Sequence, residues 1–286
     1  MKKYLILIAK LIVFAILFGV IAGLLSAGML LTDIISLDEV TLTASMLSEL
    51  AMLLSTLLAA WVIIRFWDKL PFVEDMGLSL KGRGKDVFCG LCVAASIYAV
   101  GFGLSLLFGW VSIKEVNFDL NGLLCRFLLM LLVAMFEESM TRGFVLGHML
   151  DVGMNKYLAL VLSATIFASL HLGNPGITAF AFINLILAGV LLGSAFIYTR
   201  NLWFAVSLHL FWNWIQGPVL GYQVSGGAES NTLLSLSLSD NSLMTGGDFG
   251  FEGSLPCTIL MLIAIGCIIY QFEKKQSNEK AVDVNN

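Results

Sequence analysis

Glu137 and Glu138 stand side by side in LLCRFLLMLLVAMFEESMTRGFVLGHML, residues 123–150, a stretch apolar enough to lie in a membrane. An ionised carboxylate at the bilayer centre costs at least ~2.5–3.5 kcal/mol. Intramembrane acids therefore face a protein interior or a wet cavity, and they mark functional sites. Arg142 follows Glu138 by four residues, so the two share a helix face in the favourable acid-before-base order. Glu137 is turned away by ~100°. The spacing gives the two acids different work. Glu138, held by Arg142, is structural or orienting, and Glu137 is free to act as a general base. The competing reading is a buried ion-pair network that only fixes helix packing.

Two histidines in later apolar segments extend the set. His171 ends the fifth apolar segment, in FASLHLGNPG, where a lone histidine also suits a helix cap or a packing hydrogen bond. His209 and Asn213 are four apart in SLHLFWNW and share a helix face, from which both can reach an oxyanion or a water. Hydrogen bonding between helices is the plainer alternative for this pair. His148 falls near the cytoplasmic end of its predicted helix, which suggests an interfacial role.

Elements of a particular kind must position these groups. The 286 residues are 58% hydrophobic and only 13% charged, against about 25% charged in a soluble domain. Mean hydropathy is +0.91. The chain is expected to be an all-α polytopic membrane helix bundle, one membrane domain over 1–286. A net charge of −4, thinly spread, argues against a nucleic-acid partner. Eight apolar segments of spanning character are predicted, near 4–31, 43–66, 87–109, 122–149, 157–172, 177–198, 202–216 and 255–271. The fifth and seventh are short.

Lys2, Lys3, Arg65, Lys69, Lys81, Arg83, Lys85, Lys156, Arg200, Lys274 and Lys275 fall on one side under eight crossings, which predicts both termini in the cytoplasm. The Gly/Ser-rich segment 217–254 should lie outside or fold partly back over the bundle. Within it, 233–239 (LLSLSLS) alternates as a short strand does. Gly189 and Gly193 suit close helix packing, and Asn184 could bond across helices. The five cysteines fall in or beside apolar segments with no evident disulfide framework, and Cys89 and Cys92, a C-x-x-C without a second pair, read as small buried hydrophobes.

Three motifs in order, E-E-x-x-x-R at Glu137–Arg142, F-x-x-x-H at Phe167–His171 and H-x-x-x-N at His209–Asn213, resemble the CPBP family. That family comprises type 2 CAAX prenyl proteases and bacteriocin-processing or bacteriocin-immunity (Abi) proteins. The resembling core covers about 122–216. The resemblance implies an intramembrane endopeptidase with an eight-helix core. Glu137 and His171 would activate a water, Glu138 and Arg142 would organise the site, and His209 and Asn213 would hold the oxyanion. The implied substrate is a membrane-associated peptide or protein, processed in CAAX fashion or at a bacteriocin or leader segment. A metal-free site is expected. Zinc held by Glu137, His171 and His209 is the alternative, since both residue types are zinc ligands. A non-catalytic immunity or interaction protein on the same scaffold competes with the protease, as does a proton-coupled transporter. One geometric obstacle stands: straight spans would set His171 roughly 10–15 Å nearer the outside than Glu137.

Overall fold

The computed structural model describes residues 1–32, 34–35, 41–228 and 230–284. Eight longer helices carry the fold: α1 (Lys2–Leu31), α2 (Leu42–Asp68), α3 (Gly84–Leu107), α4 (Leu120–Asp151), α5 (Lys156–Ser169), α6 (Ala179–Thr199), α7 (Trp203–Trp214) and α8 (Leu255–Val284). Six of them, all but α5 and α7, are long and apolar enough to cross a membrane. A hydrocarbon layer ~30 Å thick needs roughly 20 helical residues. At 14 and 12 residues, α5 and α7 fall short of that. Eight apolar helices are present among the described residues, as expected; six have full spanning length, and the fifth and seventh are the short ones. Backbone that stops at membrane depth is tolerated where protein covers it. Most of α7 is buried, against α3 on one side and α4 on the other.

The apolar faces sort these helices. Outward side chains such as Leu5, Ile12, Ile16 and Leu24 on α1 are exposed, as lipid contact requires, and Phe14 turns inward to stack on Phe144 of α4. One core gathers Ala59, Ile63, Phe144, Leu146 and Phe196 from α2, α4 and α6. A second gathers Tyr98, Leu191, Leu208 and Phe251. The site lies between them.

The predicted small-residue seam holds α5 against α6. A Cβ built on Gly189 would stand 2.7 Å from Ala164 Cβ and 2.8 Å from Ala164 Cα, and one on Gly193 would meet Leu160. Gly189→Ala is therefore expected to cost about 1–3 kcal/mol through overpacking. Thermal unfolding in detergent micelles reads this directly, and an unchanged midpoint would mean that the seam gives way freely.

The segment 217–254 folds back over the bundle. Its strand β2 (Leu234–Leu238) lies within the predicted 233–239 and pairs antiparallel with β1 (Val111–Val116), a partner that the sequence did not announce. Asn184 bonds between elements as expected. Its Nδ2 donates to the carbonyls of Glu252 (2.8 Å) and Ser254 (3.0 Å), and its Oδ1 accepts from Thr258 (2.7 Å).

Two expectations fail. Cys89 and Cys92 are exposed, like Cys125 and Cys267, on helix faces that would meet lipid, and Cys257 is buried. A thiol is apolar enough to rest there. His148 is buried rather than interfacial. Its Nδ1 lies 2.8 Å from the Phe144 carbonyl and its Nε2 3.1 Å from Asp68 Oδ2, a bridge from α4 to the end of α2.

Candidate active site

Helix α4 changes character at the glutamates. It is an α-helix through Glu138 and a π-helix over Ser139–Leu146. Wider π turns inside helices recur at functional sites, because they redirect side chains that a regular helix would stack. Glu138 still meets Arg142, at 2.7 Å from its Oε1 to Nη1, with side-chain exposures of 0% and 1%. The guanidinium is used further. Nη1 donates to Thr141 Oγ1 at 2.8 Å, Nη2 to the Gly189 carbonyl at 3.0 Å, and the group lies over the Phe167 ring. The close α5–α6 seam thus supports the carbonyl that receives Arg142.

His209 completes this cluster. Its Nδ1 lies 2.9 Å from Glu138 Oε1. A carboxylate only accepts, so Nδ1 carries the hydrogen and the bond fixes the ring. His171 is fixed in a similar way, with Nδ1 2.9 Å from the Phe167 carbonyl. Both imidazoles then present Nε2 to Glu137, each 3.8 Å from Oε2. That oxygen is buried and makes no direct hydrogen bond.

The expected depth mismatch between His171 and Glu137 does not arise. Helix α4 continues to Asp151, and α5 starts at Lys156 after a short turn. Glu137 and His171 lie nearly equal numbers of residues from that turn, so the helical hairpin brings them level.

Glu137, His171, His209 and Asn213 line one cavity of ≈ 210 Å³. Glu138 and Arg142 do not line it and stand behind His209. The cavity wall includes residues that the sequence reading missed: Asn174, Trp212, Ser225 and Glu252. Asn174 Nδ2 donates to the Ser225 carbonyl at 2.9 Å, which ties the end of α5 to the folded-back segment. Glu252 Oε1 accepts from the Ser225 backbone N–H and from its hydroxyl (2.8 Å), and Oε2 from Trp212 Nε1 (3.4 Å). Burial pushes the Glu252 carboxyl above the usual carboxylate range, against the pull of the Ser225 donors, His171 and Trp212. In the sequence Glu252 sits in GGDFGFEGS, which reads as a turn. The one signal was an acid between aromatic and glycine residues, immediately before an apolar helix.

Among the described residues, no group of three or more His, Cys, Asp or Glu side chains is arranged to hold a metal ion. Nδ1 of both histidines is engaged and Glu138 is committed to Arg142, which leaves the two Nε2 atoms and Glu137 as the donors that a metal would have to use.

No curated protein and no solved structure matches the chain. Residues 119–215 match the family model described as Type II CAAX prenyl endopeptidase Rce1-like. The match spans Glu137, Glu138, Arg142, His171, His209 and Asn213, and it agrees with the CPBP resemblance of the motifs. Over residues 119–215, about a third of its length, this multi-pass membrane chain is thus similar to the Rce1-like type II CAAX prenyl endopeptidases.

Proposed function

We propose that the protein is an intramembrane endopeptidase of glutamate type that hydrolyses a peptide bond of a membrane-associated protein or peptide, at a CAAX-type or leader segment. The observation that carries this reading is the convergence of His171 Nε2 and His209 Nε2 on Glu137 Oε2, each at 3.8 Å, inside one cavity. These gaps are too long for direct hydrogen bonds and short enough for a water to reach the carboxylate and a ring nitrogen together. Glu137 takes a proton from that water as its oxygen attacks the scissile carbonyl, and His171 holds the water in line. His209, with Nδ1–H on Glu138, carries a second hydrogen on Nε2 when it is imidazolium, and this N–H and the Asn213 amide face the developing oxyanion. Glu137 then returns the proton to the leaving amine. Arg142 positions Glu138 and touches no reacting atom. The distribution of Lys and Arg supports placing both termini in the cytoplasm.

The test compares newly formed peptide termini in membranes of cells that make the wild-type protein or Glu137→Gln at matched levels. Termini that depend on Glu137 are expected. Their absence, with both proteins folded, would favour an immunity or scaffolding role. A second measurement addresses zinc. Hydrolysis by purified protein is expected to withstand exhaustive chelation, and a loss that added zinc restores would overturn the metal-free mechanism.

A further inference from the structure

The folded-back segment brings a carboxylate to the cavity from outside the matched stretch 119–215. Glu252 is 5% exposed and forms part of the cavity wall. It is rigidly held. Asn184 fixes its backbone carbonyl, and the Ser225 N–H and hydroxyl both occupy Oε1. A carboxylate has about four acceptor positions. Oε2 meets only the long Trp212 bond, so it retains lone pairs for a ligand. Among the described residues, the lining holds two carboxylates, Glu137 and Glu252, and no lysine or arginine. The nearby cation, Arg142, is buried and taken up by Glu138, Thr141 and Gly189. Much of the remaining wall is apolar, with Met130, Val133, Leu185 and Ala188, and suits the aliphatic stem of a long basic side chain.

We propose that Glu252 is a specificity-determining residue that selects substrates with a lysine or arginine side chain near the scissile bond. The proposal rests on the endopeptidase reading of the cavity. Oε2 would accept a charge-assisted hydrogen bond from the substrate cation, and the remaining wall would exclude water around it.

The test digests a peptide library of cellular origin with purified full-length protein in detergent, using wild type, Glu137→Gln and Glu252→Gln, and reads the cut sites by mass spectrometry. Wild type should enrich Lys or Arg at one fixed position near the cut. Glu252→Gln keeps the Ser225 hydrogen bonds and should still cut, with that preference reduced roughly tenfold or more, as fits one lost hydrogen bond to a charged group. A preference unchanged in Glu252→Gln would overturn the assignment, as would Glu137-dependent cuts with no basic enrichment. If no cut depends on Glu137, the endopeptidase reading fails and takes the subsite with it. Should Glu252→Gln not fold, wild type alone decides. Its kcat/KM for a cleaved peptide should fall by a similar factor when the lysine is acetylated, and an unchanged value would overturn the proposal.

Discussion

Glu137→Gln is expected to lower the rate of peptide hydrolysis by ~10²–10⁴-fold, the span typical of a lost general base. The replacement keeps shape and removes basicity. It should leave the fold nearly unchanged, because Glu137 stands outside the ion pair that holds α4: Arg142 meets Glu138, and Glu137 Oε2 makes no direct hydrogen bond. His171→Ala should fall in the same range. The double replacement should cost little more than either single one, since residues that handle one water act as a unit. Initial rates on a peptide identified by its cut ends check this. A Glu137→Gln protein with more than about a tenth of wild-type activity would remove the glutamate from the mechanism. Additive losses in the double variant would mean that the two groups do separate work.

Much of this site was legible because helical spacing carries side-chain direction. Glu138 and Arg142, four apart, had to meet if the segment was helical, and they meet at 2.7 Å. Adjacent Glu137 had to point elsewhere, and it points at the two histidines. Their membership of one cluster was suggested by the cost of placing polar groups in apolar segments. Other features depend on contacts that spacing does not encode. The π turn after Glu138 is one of them, and no residue type in SMTRGFVL announces it. The pairing of β1 with β2 joins segments more than a hundred residues apart, and so does the approach of Glu252 to Glu137. Both need the folded-back segment, whose path is set by tight approaches. One is at Gly226, where a Cβ would stand 1.9 Å from the Pro175 carbonyl oxygen. The lengths of α5 and α7 were less legible for a related reason. Hydropathy registers that α5 and α7 are apolar, but neighbouring helices decide how short they can be.

Arg142→Met should destabilise the protein by about 3–5 kcal/mol, the usual cost of removing one partner from a buried ion pair. Glu138 would remain with 0% side-chain exposure, charged and without its counter-ion, and its Oε2 makes no hydrogen bond even in the intact protein. The Gly189 carbonyl would lose its donor as well. Replacing both partners, Glu138→Gln with Arg142→Met, removes the stranded charge, so much of the stability should return. Activity should not return with it. Glu138 Oε1 also receives His209 Nδ1 at 2.9 Å, and a neutral amide cannot support imidazolium as a carboxylate does. His209 would then lack the Nε2–H that the oxyanion needs, a loss of ~10²–10³-fold in kcat for one such donor. Thermal unfolding in micelles and initial rates on the same samples separate the two effects. Recovery of both together would reduce the ion pair to a packing device. Recovery of stability alone would place its work in the orientation and charge of His209.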